Sequence, residues 1–301
     1  MTLGFEGRLY ILAFDHRGSL RKKMGVGGDP TPEEIEKLRD GKMLIFEGFR
    51  HALAEGGPRD AAGVLVDEEY GTEVARKAGA EGLTFAMPVE KSGQDEFDFE
   101  YGAEFGAHIE DFDPSFSKVL VRYNPEGDTE MNANQIVKLK ELSDWLHERD
   151  RKFLFELLVP AEAGQLEAVG GDAGRYDTEV RPGLMLRAIR DLHAGGVEPD
   201  IWKIEGLDER EDCEAVSRLV RSDGRDGVAC VVLGRGADDG AVDHWLRQGA
   251  GVPGYVGFAI GRTIWGPPLM EFVEGKVDRS EAAKRIGQNY LRFIEVYDEA
   301  S

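Results

Sequence analysis

The sequence predicts an α/β fold, a closed (β/α)8 barrel of the TIM type, on three observations. Eight short β-type runs recur along the 301 residues, amphipathic helical stretches separate most of them, and most runs are continuously apolar rather than alternating. Continuous apolar runs suit strands covered on both faces, as in a parallel sheet. Strand and helix repeated eight times then close into a barrel. A doubly wound open sheet is the second choice. One domain over residues 1–301 is expected, because barrels of roughly 250 residues form single domains.

The first run, 9–15, leads into Asp15, His16 and Arg17. Gly25-Val26-Gly27-Gly28-Asp29 follows as a flexible connector; it does not join a strand directly to a helix, so it is not a nucleotide loop. Pro30-Thr31-Pro32-Glu33-Glu34 opens a long helix towards Ala54, with a capping residue, early acids and a first-turn proline. Runs 62–67 and 82–87 are the second and third strands, ending near Asp67-Glu68 and Glu90-Lys91. Run 118–123 carries Lys118 and Arg122 at one parity, hence on one face. Ile136, Leu139, Leu142 and Leu146 form a helical stripe within 132–149.

Run 153–159 embeds Glu156 among apolar residues. The 160–181 tract is polar and glycine-rich and follows a strand end, so it reads as a long loop forming a lid over the active face. A helix at 182–194 precedes the sixth run, 200–205, where Lys203 and Glu205 share a face with Ile201 while Trp202 and Ile204 take the other. Helices at 209–221 and 241–248 flank run 228–233, which ends in Gly234-Arg235-Gly236. Run 255–260 ends in Gly261-Arg262-Thr263, and an amphipathic helix at 279–300 closes the barrel.

A net charge of −21 excludes nucleic acid as a partner, since phosphate neutralisation needs a basic surface. No apolar run reaches the roughly 18 residues of a membrane span, and MTLGFEGRLY lacks the charged-then-apolar pattern of a signal peptide. A cytoplasmic protein with no membrane partner is expected. The acidic surface, with 24 arginines against 13 lysines, suggests a salt-rich cytoplasm. Cys213 and Cys230 match no metal or redox spacing, and the six histidines are scattered. No metal and no cofactor are expected.

The active face of such a barrel is at the C-terminal ends of its strands. Ionisable residues embedded in apolar runs are costly unless they pair in a common interior. One reading of Lys118, Arg122, Glu156, Lys203 and Glu205 is an ion-pair staple; the other is a site, favoured because the charges collect at strand ends. Bringing a lysine from near 10.4 to about 7–8 takes ~4 kcal/mol of differential destabilisation of its ammonium form. Burial plus cationic repulsion from Lys118 and Arg122 would supply it, leaving Lys203 nucleophilic and Glu156 a proton shuttle. Gly234, Gly236 and Gly261 let backbone approach an anion, with Arg235 and Arg262 adding charge, so these loops read as a phosphate cradle.

The blocks LAFDHRGSL (12–20), VLVDEEYG (64–71), VEKSG (89–93), KVLVRYNPEGD (118–128), FELLVP (155–160), DIWKIEG (200–206), VVLGRGA (231–237) and GFAIGRTIW (257–265) together resemble, in order, those of the class I tagatose-bisphosphate aldolase-like barrels. The resemblance is nearest to the aldolase-like domain found with 5-dehydro-2-deoxygluconokinase. It implies a Schiff-base lysine at Lys203, an acid/base glutamate at Glu156 and a supporting lysine at Lys118. Asp15 and Arg17 would touch substrate, and the Gly234 and Gly261 loops would seat phosphate. His16, Glu90, Lys91, Arg122 and Glu205 complete the candidate substrate-binding set.

The implied reaction is reversible cleavage of a phosphorylated keto sugar or keto sugar acid to dihydroxyacetone phosphate and an aldehyde, by a homo-oligomer. Two departures point to a different substrate: Gly234-Arg235-Gly236 stands where the tagatose enzymes have Ser-Ala-Gly, and His16 where they have glutamine. Two rivals are a phosphosugar isomerase or decarboxylase without a covalent imine, and a non-catalytic phosphosugar-binding barrel.

Overall fold

A computed structural model describes residues 3–301. Eight parallel strands, β1 (Leu9–Ala13), β2 (Ala62–Leu65), β3 (Thr84–Pro88), β4 (Phe116–Arg122), β5 (Lys152–Leu158), β6 (Ile201–Glu205), β7 (Ala229–Leu233) and β8 (Tyr255–Ile260), pair in sequence order. β8 returns to β1 with Leu9 opposite Gly257, so the sheet has no free edge. The expected (β/α)8 barrel is the observed fold.

The helices are α1 (Gly18–Lys23), α2 (Pro32–Ala54), α3 (Glu68–Ala80), α4 (Phe105–Phe112), α5 (Thr129–His147), α6 (Ala163–Ala168), α7 (Ala173–Arg175), α8 (Arg181–Ala194), α9 (Arg210–Val220), α10 (Asp239–Gly249), α11 (Arg262–Val273) and α12 (Arg279–Glu299). Thr31 caps α2 through a reciprocal box with Glu34, and Pro32 fits the first turn, as the sequence predicts. α12 packs across α2 at a close backbone approach: a Cβ on Gly48 would lie 2.5 Å from Ile286 Cγ2. No helix of the described residues is long and apolar enough to cross a membrane.

Most strand boundaries shift by one or two residues from the sequence reading, and two of the shifts bear on the site. β2 stops at Leu65 because Asp67 turns out of the sheet to cap α3, accepting from Tyr70 N at 2.8 Å. β4 begins at Phe116, two residues early, so Lys118 is an interior strand residue and not a strand start. Ser115 and Ser117 break the apolar run there and conceal the strand's beginning. The 160–181 tract also differs. It is not a loop: α6, α7 and a π-helical turn, Tyr176–Val180, fill most of it and run straight into α8. Asp172 caps this region by accepting from Gly174 N and Arg175 N, an Asx turn that a glycine-rich reading overlooks.

Strand parity divides the chain into two cores. Inward residues such as Leu9, Ile11, Phe116, Leu154, Ile201 and Val231 fill the barrel's lower interior. Trp202 and Ile204, at the opposite parity, pack outward beneath the helices. The N-terminal mouth is sealed by charge as well as by apolar packing. Buried Asp200 accepts from Gly4 N, Phe153 N and Lys152 Nζ at 2.8–2.9 Å and contacts His147 Nε2 at 3.2 Å. Embedded charges therefore occur at strand starts too, where they staple the barrel. The C-terminal mouth opens into a cavity of about 840 Å³.

Candidate active site

All fifteen residues singled out from the sequence line this one cavity. Its floor continues the inward parity of the apolar plug with charges. Lys118 follows Phe116, Glu156 follows Leu154, and Lys203 follows Ile201, while Asp15 and Glu90 arrive from the ends of β1 and β3. Glu156 and Lys203 are register partners on adjacent strands.

Lys118 is fully buried, and its Nζ meets Asp15 Oδ2 at 2.8 Å, Glu90 Oε1 at 2.9 Å and Glu156 Oε2 at 3.0 Å. Three donors meet three carboxylates. Burial disfavours the ammonium, but Asp15, Glu156 and Glu90 together outweigh it and push the Lys118 pKa well above its usual value. Burial likewise raises Asp15, yet the ammoniums of Lys118 and Lys203 win and hold its carboxyl far below the ordinary range. At Glu90 burial wins over Lys118 and Arg17, and the pKa is raised. Arg17 donates to Glu100 Oε2 at 2.9 Å and to Glu90 O at 2.8 Å. Burial pushes His16 down to about 4, so it is neutral near pH 7, edge-on to Trp265.

Lys203 is 2% exposed, and its Nζ lies 3.0 Å from the same Glu156 Oε2 that Lys118 holds. Among the described residues no other carboxylate reaches it. The two ammonium nitrogens are thus separated by at most twice that distance. Burial raises Glu156, but the two lysines overcome it, and its pKa is lowered. Arg122 is not the neighbouring cation the sequence suggested. It sits at the rim, donating to Gln94 O at 3.0 Å, because it lies four residues beyond Lys118 along the tilted strand. Lys91 is exposed at the same rim.

Opposite them, the loops after β7 and β8 meet. Arg235 adopts the left-handed backbone (φ 52°), unusual for a side chain-bearing residue, and Gly236 follows at φ 73°. A Cβ on Gly236 would lie 2.7 Å from the Arg262 guanidinium carbon. Arg262 Nη2 donates to Arg235 O at 2.8 Å, and no carboxylate of the described residues lies within ion-pair distance of it. α11 starts at Arg262 without a side-chain cap, leaving its first N–H groups at the cavity wall. Uncapped helix starts beside glycines favour anions. Arg235 is already engaged, by Glu205 at 3.1 Å and Asp177 at 2.6 Å.

Four contributors escaped the sequence reading. Lys42 of α2, fully buried, donates to Phe14 O, His16 O and Asp67 Oδ1 and so ties down the turn carrying Asp15. Its only sequence signal is a lysine on the apolar face of a helix. Asp67, at the end of the second predicted strand, serves that pair, and Glu68 turns away to His108. Tyr176 donates to Val159 O at 2.9 Å, and Asp177 pairs with Arg181 at four-residue spacing, fastening the 160–181 segment to the barrel. Among the described residues no group of three or more His, Cys, Asp or Glu side chains is placed to hold a metal ion.

The chain is similar at low identity to proteins named as tagatose-diphosphate aldolases. Tagatose 1,6-diphosphate aldolase 2 of Streptococcus pyogenes serotype M6 is 27% identical over 211 residues, covering 67% of this chain and 59% of that protein. The Enterococcus faecalis enzyme of the same name is 25% identical over 215 residues, covering 66% and 57%. This chain therefore spans less than two thirds of the length of the relatives it matches.

Among solved structures, a Schiff-base-forming fructose-1,6-bisphosphate aldolase superposes with a TM-score of 0.56 at 14% identity, covering 94% of each chain. A Corynebacterium glutamicum protein superposes at 0.58 with 18% identity, covering 97% of this chain and 88% of its own. Both bear out the barrel fold. The class is thus a TIM barrel homologous to the tagatose-bisphosphate aldolases. Within it, the chain belongs to the family described as "Uncharacterized protein conserved in bacteria (DUF2090)", whose sequence model matches residues 5–301.

Proposed function

We propose that this chain is a class I, Schiff-base aldolase that cleaves a phosphorylated keto sugar or keto sugar acid to dihydroxyacetone phosphate and an aldehyde. The observation carrying the proposal is a buried lysine, Lys203, on the cavity floor with a single carboxylate partner, Glu156, 3.0 Å away. A cavity of about 840 Å³ accommodates a phosphorylated hexose. The eight sequence blocks extend the proposal to the branch found with 5-dehydro-2-deoxygluconokinase.

In this mechanism the Lys203 lone pair attacks the ketone carbon and a proton passes from its nitrogen to the carbonyl oxygen, giving a carbinolamine. Loss of water leaves the imine. A proton then leaves the hydroxyl on C4 as the C3–C4 bond breaks, its electron pair moving towards the imine nitrogen to form an enamine while the aldehyde departs. Protonation of the enamine carbon and addition of water release dihydroxyacetone phosphate and restore the amine. Glu156, 3.0 Å from Lys203 and from Lys118, carries these protons in this mechanism. Lys118 remains a cation, saturated by three carboxylates, and fixes Glu156 and Asp15.

Turnover is the test. Ketose 1-phosphates and their acid analogues are screened for release of dihydroxyacetone phosphate by the wild type and by Lys203→Ala. The expected result is cleavage by the wild type, reduced at least about 10⁴-fold in the variant. Cleavage that survives in Lys203→Ala sinks the imine and favours the non-covalent enzyme.

A further inference from the structure

Four charges alternate around a ring on the open side of the cavity. Asp177 accepts from Arg181 Nε at 3.0 Å and from Arg235 Nη1 at 2.6 Å. Glu205 lies 3.1 Å from Arg235 Nε and 3.9 Å from Arg181 Nη1. The corners are unequal. Arg181 is 1% exposed and is pinned by a 2.9 Å bond to Gly206 O, and its Nη1 is a buried donor without a hydrogen-bond partner. Glu205 is buried and accepts from Val159 N at 2.9 Å. Asp177, about a quarter exposed, projects from the π-helical turn Tyr176–Val180. Arg235, a third exposed, stands between the two glycines of the β7 loop.

Arg235 can leave this ring without stranding a buried charge. Once it leaves, Arg181 still holds Asp177, and the idle Nη1 is already turned towards Glu205. Removing a partner from a buried charge is costly only when nothing replaces it. The replacement is built in.

Resting on the reading of the Gly234 and Gly261 loops as a phosphate seat, we propose that Asp177 is a specificity-determining competitor. It occupies Arg235 in the unliganded protein and yields it to a dianionic, phosphate-class group, not to a monoanionic carboxylate. A free carboxylate offers Arg235 the same chemistry as Asp177 but lacks the advantage of being tethered in place. A dianion brings more charge, and at the same seat it also meets Arg262 and the uncapped start of α11. The ring therefore sets a charge threshold on what the seat accepts.

The test is calorimetric titration of the intact protein with inorganic phosphate, at a pH where it is dianionic, and separately with acetate. The wild type is expected to bind acetate at least about 10-fold more weakly than phosphate. Asp177→Asn leaves Arg235 held by Glu205 alone, tightening phosphate about 5-fold and acetate by a larger factor. In an Arg235→Ala background, Asp177→Asn changes neither affinity, because the competitor then has nothing to hold. Circular dichroism confirms folding, and Asp177→Ser repeats the cycle if the asparagine variant does not fold. Equal binding of the two anions, an unaltered affinity in Asp177→Asn, or an effect that persists without Arg235 overturns the proposal. A wild type that binds no phosphate overturns both the proposal and the seat. Imine trapping at Lys203 then reports separately whether the aldolase reading stands.

Discussion

On the β1–β4 side of the cavity the buried cations each have two or more partners, although Arg17 Nε and Glu90 Oε2 are left without a hydrogen bond. Lys118 has three carboxylates for three donors, and Arg17 has Glu100 and a backbone carbonyl. Beneath them Lys42 is satisfied by two carbonyls and Asp67. On the β6–β8 side the same residue types are left with donors to spare. Lys203 has one carboxylate, which it shares, and Arg262 has one carbonyl. The number of partners separates the two lysines: three carboxylates hold Lys118 as a cation, whereas Lys203 has one carboxylate that it shares, and it is Lys203 to which the proposal gives the nucleophilic role. In the proposed mechanism the closed half holds the geometry that the open half uses.

Swapping the two lysines for methionine breaks this comparison most sharply. Lys203→Met is expected to lower turnover at least about 10⁴-fold while costing about 1 kcal/mol or less of stability, since Glu156 keeps Lys118. Lys118→Met strands Asp15, Glu90 and Glu156 and is expected to cost about 3–5 kcal/mol in urea unfolding. Equal stability losses would erase the distinction between the halves.

Glu156 belongs to both halves, and Glu156→Gln is expected to lower kcat/KM about 10²- to 10³-fold. Trapping of the imine should slow in parallel, because in the proposed mechanism the same carboxylate carries the protons of imine formation. A variant with normal turnover would move the proton transfers to another group, with Glu90 the first candidate.

The pH dependence sharpens the comparison further. Asp15 and Glu156 have lowered folded values, so their contribution to stability is present above the unfolded carboxylate value, about 4, and is lost as pH falls through the folded values. Lys118 has a raised folded value, so its contribution is complete below the unfolded lysine value, about 10.4, and is lost as pH rises through the folded one. Glu90, also raised, works against stability as it ionises. Unfolding free energies measured from pH 7 down to pH 2 should therefore fall steeply in the wild type and more shallowly in Lys118→Met. Parallel acid limbs would contradict the assignment of these shifts to Lys118.

The smallest expected effect separates surface from floor. With a net charge of −21, molar KCl should raise the Tm by screening repulsion among exposed acids. The stability difference between wild type and Lys118→Met should hardly change, because buried pairs are screened far less.

The sequence reveals much of this, for identifiable reasons. Two-residue parity in DIWKIEG places Lys203 inward and Trp202 outward, and continuous apolar runs announce a parallel barrel. Lys118 and Glu156 are conspicuous because charges inside apolar runs need partners. What stays hidden depends on three-dimensional proximity without periodicity. Lys42 looks like one more polar residue of an acidic helix until α2 folds over the β1 turn. Asp177 and Arg181 sit in a glycine-rich tract whose helical turns follow from an Asx cap and docking on Val159. Arg122 shares a face with Lys118 but ends at the rim, since parity fixes direction and not height along the strand.

The measurement that tests the central claim most directly is borohydride reduction of the protein in the presence of dihydroxyacetone phosphate, followed by peptide mass mapping. Lys203 and Lys118 lie close enough to compete for the same ketone, so the position of the adduct discriminates between them. A single adduct on Lys203, absent from Lys203→Ala, is the result expected. An adduct on Lys118, or saturable binding of the ketone phosphate with no adduct on either lysine, would contradict the division of the cavity into a supporting half and a reactive one.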